Sequence, residues 1–424
     1  MAEIRKAAVI GAGVMGAGIA AQIANGGVPF LLLDVVKEKK EDRNAITKEA
    51  IQRLLKSDPA PLMHKRNARL IAPGNIQDDL DQLGECDWII EAVIEDIDIK
   101  RSLYEKIDLA RRPGSIISSN TSTIPLRQLT DGMPEGLEKD FLITHFFNPP
   151  RYMRLLELVA GTKTRSDALE TIRNFADRTL GKSVVVCNDT PGFIANRIGI
   201  FWLQCAVVEA MDRGMSIEEA DAVIGRPAGI PRTGVFGLLD MVGLDLMPKV
   251  LSSMAAGLPE DDPFHSVYRP PEMIEKMVAS GHTGRKGNGG FYRLSNEGGQ
   301  QVKEAIDLVT GDYAKATKPS FDSVEASKKG GLRALLDHRD SGGQYGWAVW
   351  SKTLSYAASL VPKIADDVVA VDEAMRLGYN WKFGPFELID QLGVEWFATK
   401  LNADGIRVPE LINTVSGKSF YRTD

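Results

Sequence analysis

The chain is poor in the residues that build disulfide frameworks and metal clusters. Its 424 residues include three cysteines, Cys86, Cys187 and Cys205, and five histidines. The cysteines are too scattered for a disulfide scaffold, and none has the close spacing of a metal site. We therefore expect a protein without a bound metal that works in a reducing compartment.

Long apolar runs and a strong excess of one charge are also missing. No run approaches the roughly 18 apolar residues that would suggest a membrane helix. The start of the chain passes straight into an apolar strand and a glycine loop, without the pattern of a signal or transit peptide. The net charge of -6 gives no electrostatic basis for holding nucleic acid or an acidic membrane. We expect a cytoplasmic protein with no membrane span, acting on a small molecule.

The first 188 residues show the pattern of a Rossmann-type α/β domain. Short apolar, β-branched runs alternate with amphipathic stretches, which is typical of βαβ units and a mostly parallel sheet. The predicted strands are 7–10, 30–33, 88–93, 115–118, 142–144 and 183–186. Residues 44–70 lack strand signals, and we interpret them as two helices separated at Asp58-Pro59-Ala60-Pro61.

Helical periodicity replaces this alternation after Asp189-Thr190-Pro191-Gly192. We predict an all-α domain over 189–294, a polar linker over 295–339, and a second helical domain over 340–424. The second resembles the first: residues 234–245 match residues 384–395 at five identical positions of twelve. An offset one residue longer pairs Asp221 with Asp372. Duplication explains this better than two unrelated amphipathic helices, which is the alternative.

A glycine motif stands where the first strand turns into a helix. Gly11, Gly13 and Gly16 follow the strand directly, and the second strand ends in Asp34, at the spacing of a dinucleotide-binding fingerprint. The glycines allow a tight turn, close approach of a pyrophosphate and close packing of helix on strand. An acid at Asp34 would hold the adenosine ribose and repel a 2′-phosphate. The motif predicts NAD rather than NADP.

Three strand ends beyond the motif are unusually polar. They are 118–122, 144–149 and 190–197, which could converge on one crevice at the carboxyl edge of the sheet. Oxidation of an alcohol by NAD needs a base, and imidazole suits neutral pH, so His145 is the candidate. Glu157 lies in an apolar run, where pairing with His145 would offset its burial. The alternatives are a core histidine with satisfied hydrogen bonds and a solvated acid at a strand edge.

Taken together, these segments closely resemble the 3-hydroxyacyl-CoA dehydrogenase family in type, order and spacing. The resemblance rests on 11–16, 91–95, 119–122, 145–149 and 189–197, and it extends to the helical copies. Duplication of the C-terminal domain is typical of the multifunctional β-oxidation proteins, in which the dehydrogenase is fused to an enoyl-CoA hydratase. It implies NAD-dependent oxidation of an L-3-hydroxyacyl-CoA in fatty acid β-oxidation, with a hydratase module or a thiolase as partner.

The resemblance also implies roles for individual residues. His145 would be the general base with Glu157 as its partner, and Ser122 and Asn196 would hydrogen-bond the reacting oxygen. The positions that contact NAD in the family correspond, beside the glycines, to Met15, Asp34, Glu95, Lys100, Ser122 and Asn148. Without the resemblance, Glu95 and Lys100 would be interpreted as surface residues.

The chain departs from the family where the substrate's CoA portion is expected. Ala50 and Ser57 occupy the nearest equivalents of the family's serine and lysine. Arg53, Lys56 and Lys65 could contact phosphates instead, or they could form an ordinary solvated face. In the second helical copy, Trp347 takes the place of Asn196, so that copy is expected to be structural. It would fill in cis the place of a partner's domain, in a protein that is a monomer or a homodimer.

Two other functions remain possible on these residues. A dehydrogenase of a free 3-hydroxy acid shares the architecture, but such enzymes generally rely on a lysine where this chain has His145 and Glu157. A structural NAD-binding protein that has lost its activity is the alternative from a different class. Turnover of a CoA thioester distinguishes all three.

Overall fold

The computed structural model describes residues 3–37, 41–270, 272–415 and 417–422. The chain divides into two compact units, Met1–Phe193 and Ile194–Asp424. The boundary follows Phe193 rather than residue 188. None of the helices in the described ranges is long and apolar enough to cross a bilayer.

The described part of the first unit is built on an eight-stranded sheet with the order β3-β2-β1-β4-β5-β6-β7-β8. From β3 to β6 neighbouring strands run parallel, whereas β7 is antiparallel to β6 and parallel to β8. The carboxyl ends of β1, β4, β5 and β6 therefore lie at one edge of the sheet. The strands are β1 (Ala7–Ile10), β2 (Phe30–Asp34), β3 (Ile71–Asn75), β4 (Trp88–Glu91), β5 (Ile116–Ser119), β6 (Phe141–Phe146), β7 (Leu155–Ala160) and β8 (Ser183–Cys187).

Helices accompany this sheet and share its core. Continuous burial of Leu31, Leu32 and Leu33 on β2 is the pattern of a parallel strand covered on both faces. Ile19 and Ile23 of α1 belong to the same apolar cluster as Trp88. The predicted α/β domain is confirmed. Its helices are α1 (Val14–Asn25), α2 (Ala45–Lys56), α3 (Ile97–Ala110), α4 (Leu126–Thr130), α5 (Glu135–Asp140) and α6 (Ser166–Arg178), with 3-10 helices at Lys65–Leu70 and Leu80–Glu85.

Two strands of this sheet and one helix differ from the sequence prediction. Strand β3 was not predicted because Pro73 and Gly74 are poor strand residues, which an edge strand tolerates. Strand β7 was not predicted because Glu157 interrupts its apolar run. The two helices expected over 44–70 are one α-helix, α2, and the short 3-10 helix Lys65–Leu70.

The second unit is mostly helical and carries a small antiparallel sheet of order β11-β10-β9. Its strands are β9 (Tyr292–Glu297), β10 (Gln300–Ile306) and β11 (Tyr313–Lys315). Its helices are α7 (Ala195–Asp212), α8 (Ile217–Val223), α9 (Phe236–Val242), α10 (Met247–Gly257), α11 (Phe264–Val267), α12 (Glu272–Ala279), α13 (Asp322–Leu336), α14 (Ser341–Ser359), α15 (Val368–Gly378), α16 (Pro385–Leu392), α17 (Val394–Ala403) and α18 (Glu410–Thr414), with a 3-10 helix at Arg226–Ala228.

The segment expected as a linker, 295–339, carries regular structure. It holds the second half of β9, all of β10 and β11, and α13. Ile306 and Leu335 are buried, so the segment packs against the helices of the unit. Its polar composition reflects the exposed faces of short strands and one amphipathic helix.

Helices α7 and α14 pack directly against each other. The rings of Phe201 and Tyr356 stack with their centroids 3.9 Å apart. The hydroxyl of Tyr345 donates a hydrogen bond to the carbonyl oxygen of Ala206 at 3.0 Å. Each of these helices lies near the start of one of the two predicted helical domains.

A buried aspartate organises the first half of the repeat. Asp221 accepts hydrogen bonds from the backbone N–H of Phe236 at 2.9 Å and from the hydroxyl of Tyr292 at 2.9 Å. Asp240 accepts from the backbone N–H groups of Phe291 and Tyr292 at 2.7 and 2.8 Å. The rings of Phe236 and Phe291 meet edge to face, 4.8 Å apart.

The second half contains the same set of contacts. Asp372 accepts from the backbone N–H of Phe386 at 2.8 Å and from the hydroxyl of Tyr421 at 2.9 Å. Asp390 accepts from the backbone N–H groups of Phe420 and Tyr421 at 2.8 and 2.9 Å. Phe386 and Phe420 also meet edge to face at 4.8 Å. The agreement therefore extends from sequence to individual hydrogen bonds.

Candidate active site

The glycine loop between β1 and α1 has the geometry that close packing demands. Gly11 has a φ of 107°, and a side chain on Gly16 would overlap the carbonyl oxygen of Gly11. A Cβ on Gly13 would meet nothing within 4 Å. Gly13 is also the N-cap of α1, whose first N–H groups can bind an anion. The loop therefore has open space at the position where a pyrophosphate would approach, and these residues fit a dinucleotide.

Asp34 lies at the carboxyl end of β2, beside this loop. One of its oxygens accepts a hydrogen bond from the backbone N–H of Ala12 at 2.6 Å, and the other from Val35 at 2.7 Å. A carboxylate has about four lone-pair sites, so two remain for ribose hydroxyls. Asp34 is thus held in place and keeps acceptor capacity.

The basic residues at the end of α2 have different surroundings. The guanidinium of Arg53 donates to the carbonyl oxygen of Ala12 at 3.4 Å, next to the glycine loop. Lys56 is exposed in the last turn of α2. Met15, on the first turn of α1, is partly buried against the core of the first unit. Arg53 thus lies on the side of the site where the dinucleotide motif is found.

A buried ion pair supports the carboxyl ends of β4 and β5. The side chains of Glu91 and Lys100 are 0% and 1% exposed, and their charged atoms lie 2.7 Å apart. Glu91 also accepts from the hydroxyls of Tyr104 at 2.6 Å and Ser119 at 2.7 Å, and from the backbone N–H of Val93 at 2.7 Å. This cluster fixes the start of α3 against two strand ends.

Glu95 holds the loop that carries Ser122. Its carboxylate accepts from the backbone N–H groups of Ser122 and Thr123 at 3.0 and 3.1 Å, and from the hydroxyl of Thr121 at 2.5 Å. Lys100 lies 3.3 Å away. Burial opposes ionisation of Glu95, but Lys100 and these hydrogen bonds outweigh it and lower the pKa of the carboxyl. The Ser122 hydroxyl makes no hydrogen bond within the described residues, which leaves it available to a ligand.

His145 and Glu157 form a direct cross-strand pair. They face each other in the register of β6 and β7, and Nδ1 of His145 lies 2.7 Å from Oε2 of Glu157. Glu157 is fully buried, and His145 is 6% exposed. The rings of Phe147 and Phe193 pack at 4.5 and 5.6 Å from the imidazole. Nε2 of His145 makes no hydrogen bond to a residue in the described ranges.

The two remaining predicted site residues are Asn148, which follows β6, and Asn196, which lies at the start of α7. Asn148 is exposed, three residues after His145. Asn196 is the second residue of α7 and belongs to the second unit. Its counterpart in the repeat, Trp347, donates to the carboxylate of Asp404 at 2.5 Å and packs on Trp396. These contacts hold the indole of Trp347 within the second unit.

Some contacts at this edge of the sheet were missed by the sequence analysis. It placed Lys100 on the surface without the family resemblance, because a helix start is usually solvated. It gave Glu91 no role, although an acid that ends a buried apolar strand signals a buried partner. The amide oxygen of Asn120 accepts from the backbone N–H of Phe146 at 2.9 Å, which ties the Ser122 loop to the end of β6. That link has no signal in sequence.

Comparison with known proteins identifies the family to which the chain is similar. Residues 6–190 match the model of the 3-hydroxyacyl-CoA dehydrogenase NAD binding domain, and residues 192–294 match that of the same family's C-terminal domain. A protein of Deinococcus radiodurans described as a probable 3-hydroxyacyl-CoA dehydrogenase is 43% identical over 295 residues, which are 70% of this chain and 84% of that protein.

Two further relatives extend the likeness over nearly the whole chain. A protein of Rickettsia felis, described as a putative fatty acid oxidation complex trifunctional enzyme, is 39% identical over 425 residues, and this chain spans 58% of its length. The crystal structure of 3-hydroxybutyryl-CoA dehydrogenase from Escherichia coli shares the fold, with a TM-score of 0.74 at 22% identity, covering 97% of this chain and 98% of the other. The chain belongs to the 3-hydroxyacyl-CoA dehydrogenase family.

Proposed function

We propose that the protein oxidises the 3-hydroxyl of an L-3-hydroxyacyl-CoA to a ketone, with NAD as cofactor, in fatty acid β-oxidation. The observation that carries this proposal is the buried pair of His145 and Glu157, in the same sheet as the glycine loop and Asp34. Bound NAD supplies the hydride acceptor. The chain must then position the alcohol and remove its proton.

The pair defines which nitrogen of His145 acts as the base. If Glu157 accepts the hydrogen bond, Nδ1 must carry the proton, and Nε2 presents its lone pair. Nε2 takes the proton of the 3-hydroxyl as the hydride leaves C3, the carbon that bears this hydroxyl. The carboxylate of Glu157 holds the ring in this tautomer and stabilises the imidazolium that forms. In the reverse direction the imidazolium returns the proton.

Other residues orient the reacting groups. We assign hydrogen bonds to the reacting oxygen to Ser122 and Asn196, and contacts with NAD to Met15, Ser122 and Asn148, on the resemblance to the family. The unpartnered hydroxyl of Ser122 supports its role. Lys100 is 1% exposed, so we assign it no direct contact with NAD; its ammonium positions the carboxylate of Glu95, which we place at the cofactor.

For the CoA portion we propose Lys56 as a phosphate partner. Arg53, which the sequence also suggested for CoA, contacts the glycine loop and suits the cofactor phosphates as well. Asp34 favours NAD because a 2′-phosphate would bring a second anion against its carboxylate. A single basic residue in place of Asp34 would remove that repulsion.

We propose that 340–424 is a second, degenerate copy of the helical domain at 189–294. The matched contacts of Asp221 with Asp372, and of Asp240 with Asp390, support this duplication. Packing of α14 on α7 supports a protein in which the second copy replaces a partner's domain. The expected solution mass is that of a monomer; an extensive dimer formed through α7 would contradict the proposal.

The chemistry also suggests the neighbouring enzymes. A 3-hydroxyacyl-CoA forms by hydration of an enoyl-CoA, and a 3-oxoacyl-CoA is cleaved by a thiolase, so we propose a hydratase, fused or separate, and a thiolase as partners. The chain's length relative to the Rickettsia protein leaves room for such a module in that relative. The three cysteines are buried and form no disulfide within the part of the chain that the structure describes. A reducing compartment and a cytoplasmic location stay predictions.

The test is the consumption of NADH with acetoacetyl-CoA, run beside free acetoacetate and beside NADPH. We expect turnover confined to NADH and the CoA ester. Turnover of free acetoacetate at a similar kcat/KM would instead identify a dehydrogenase of free acids. Absence of turnover with every CoA ester, in a protein that binds NADH, would support the structural alternative.

A further inference from the structure

A lysine directly before β8 is buried without an acidic partner. Lys182 is 1% exposed, and no carboxylate in the described ranges forms an ion pair with it. Burial lowers the pKa of its ammonium to about 8, which keeps most of the group charged at neutral pH. Because a buried charge is costly without compensating contacts, the groups around Lys182 must supply them.

The hydrogen-bond acceptors belong to a single turn, residues 149–153. The ammonium donates to the carbonyl oxygen of Met153 at 2.7 Å and to that of Pro150. The N–H groups of Tyr152 and Met153 close the turn, since both donate to the carbonyl oxygen of Pro149 at 3.0 Å. No backbone N–H in the described part of the chain donates to the two oxygens that accept from the ammonium. Without the lysine, both oxygens would lose their donor.

The 149–153 turn lies against the helix of the dinucleotide motif. The ring of Pro150 packs on α1, where a Cβ on Gly18 would lie 2.9 Å from Cδ of the proline. The turn also follows directly after Asn148, for which we propose a contact with NAD. Lys182 therefore holds a turn that contacts α1 and continues from a residue assigned to the cofactor.

The residues before Lys182 are tied to α1 as well. Gln22, on α1, is 4% exposed, and its amide donates to the carbonyl oxygen of Leu180 at 2.8 Å. The lysine thus has a fixed base on the helix, through Leu180, while the turn contacts the same helix through Pro150. The ammonium joins these two segments, so its loss would let the turn shift relative to α1.

We propose that Lys182 is a positioning residue for the cofactor: by fixing the 149–153 turn, it holds Asn148 where that side chain contacts NAD. The inference rests on the contact assigned to Asn148 in the proposed function. Lys182 itself is assigned no contact with NAD, because its ammonium lies among the carbonyl oxygens of the turn and 5.5 Å from the ring centre of Phe146. A merely stabilising lysine would change the unfolding temperature without changing the affinity of the folded protein for NADH.

The first experiment measures the dissociation constant of NADH by fluorescence, without substrate, for Lys182→Met. Methionine keeps an unbranched side chain but leaves the carbonyl oxygens of Pro150 and Met153 without their donor. We expect the constant to rise about tenfold, the factor that one hydrogen bond from a charged donor gives. Lys163→Met is the matched control and should bind as the wild type does, because Lys163 is 59% exposed and lies outside the turn. Circular dichroism verifies that each variant is folded.

A double-variant cycle with Asn148→Ala separates positioning from a general effect of charge. If Lys182 acts through Asn148, Lys182→Met should weaken NADH binding by less than about twofold once the asparagine is gone, because coupled residues are not additive. Attraction between the ammonium and the phosphates of NADH would instead give the same factor in both backgrounds. Asn148 is exposed, so its replacement by alanine should leave the fold intact.

Tyr152→Phe is a second variant of the same turn, for the case that Lys182→Met does not fold. The hydroxyl of Tyr152 donates to the carbonyl oxygen of Ala60 at 2.9 Å, and the tyrosine is 47% exposed. The substitution changes no charge. It should raise the dissociation constant of NADH about threefold, again only where Asn148 is present.

Three results would overturn the proposal. They are a wild-type dissociation constant in folded Lys182→Met, an equal factor with and without Asn148, and, if Lys182→Met does not fold, a wild-type constant in Tyr152→Phe. A wild-type constant in Asn148→Ala would contradict the contact assigned to Asn148 and the positioning role together. Absence of turnover with acetoacetyl-CoA in the wild type would contradict the proposed function alone, because NADH binding is measured without turnover.

Discussion

Replacing Lys100 by methionine tests whether the buried ion pair stabilises the first unit. The change leaves the carboxylate of Glu91 fully buried without the cation that lies 2.7 Å away. Breaking a buried pair by removing one partner costs about 3–5 kcal/mol. Glu91 retains Val93, Tyr104 and Ser119 as donors, which places the expected loss of unfolding free energy near the lower end, about 3 kcal/mol.

The matched control is Lys6→Met. Lys6 also pairs with an acid, Glu85, but the two side chains are 29% and 71% exposed, so the unfolding midpoint should stay near that of the wild type. The double variant Glu91→Gln, Lys100→Met should recover most of the loss. The amide that replaces the carboxylate can accept from the Val93 N–H through its oxygen, while its NH₂ donates to the hydroxyls of Tyr104 and Ser119.

The assay must report on the first unit alone, because a chain of two units need not unfold in one step. Hydrogen-exchange mass spectrometry of peptides from 88–110 in increasing urea meets this requirement. The reasoning is refuted if Lys100→Met exchanges like Lys6→Met, or if the double variant is no more stable than the single one.

Three further predictions follow from individual contacts. Asp34→Ala should weaken NADH binding about tenfold, because hydrogen bonds to the ribose are lost. It should also raise the ratio of NADPH to NADH turnover, because the carboxylate that repels a 2′-phosphate is gone. An unchanged ratio in steady-state kinetics would argue against the role of Asp34. Burial raises the pKa of Asp221 to about 7, above its unfolded value, so this carboxyl favours the folded state at acid pH and loses that contribution as the pH rises to about 7. Tyr292→Phe removes a donor to the ionised form and should destabilise the protein by about 1–2 kcal/mol at pH 8 but less at pH 5; equal losses in urea unfolding at both pH values would contradict this sign. Burial raises the pKa of the Cys86 thiol to about 11, and all three cysteines are buried, so none should react promptly with a thiol reagent at pH 8 before denaturant is added.

The sequence predicts the elements that follow simple periodicity. Strands β1 and β2 are continuous apolar runs. The glycines that follow β1 have the spacing of a dinucleotide-binding loop. Strand β7 was missed because a charged residue in its middle breaks the apolar pattern, and pairing with His145 on β6 helps to offset the burial of Glu157. Glu157 and His145 are twelve residues apart, and the register of β6 and β7 that brings them together depends on the pairing of the strands in the sheet.

Contacts that depend on tertiary packing had weaker signals. Lys100 is buried because two acids from different elements surround it, which no local pattern indicates. Arg53 contacts the glycine loop, whereas the sequence suggested either a contact with CoA phosphates or a solvated basic face. Gln204 stands in the apolar helix α7, and the sequence around it does not indicate that it lines a cavity.

The measurement that tests the central claim most directly is the kcat of His145→Gln with acetoacetyl-CoA and NADH, beside the dissociation constant of NADH from fluorescence. The proposed base role predicts a loss of kcat of at least about a hundredfold, since a general base contributes factors of this order. NADH binding should change little, because His145 contacts Glu157 and two phenylalanines rather than the glycine loop. A variant that binds NADH normally and keeps more than about a tenth of the wild-type kcat would contradict the assignment of His145 as the base.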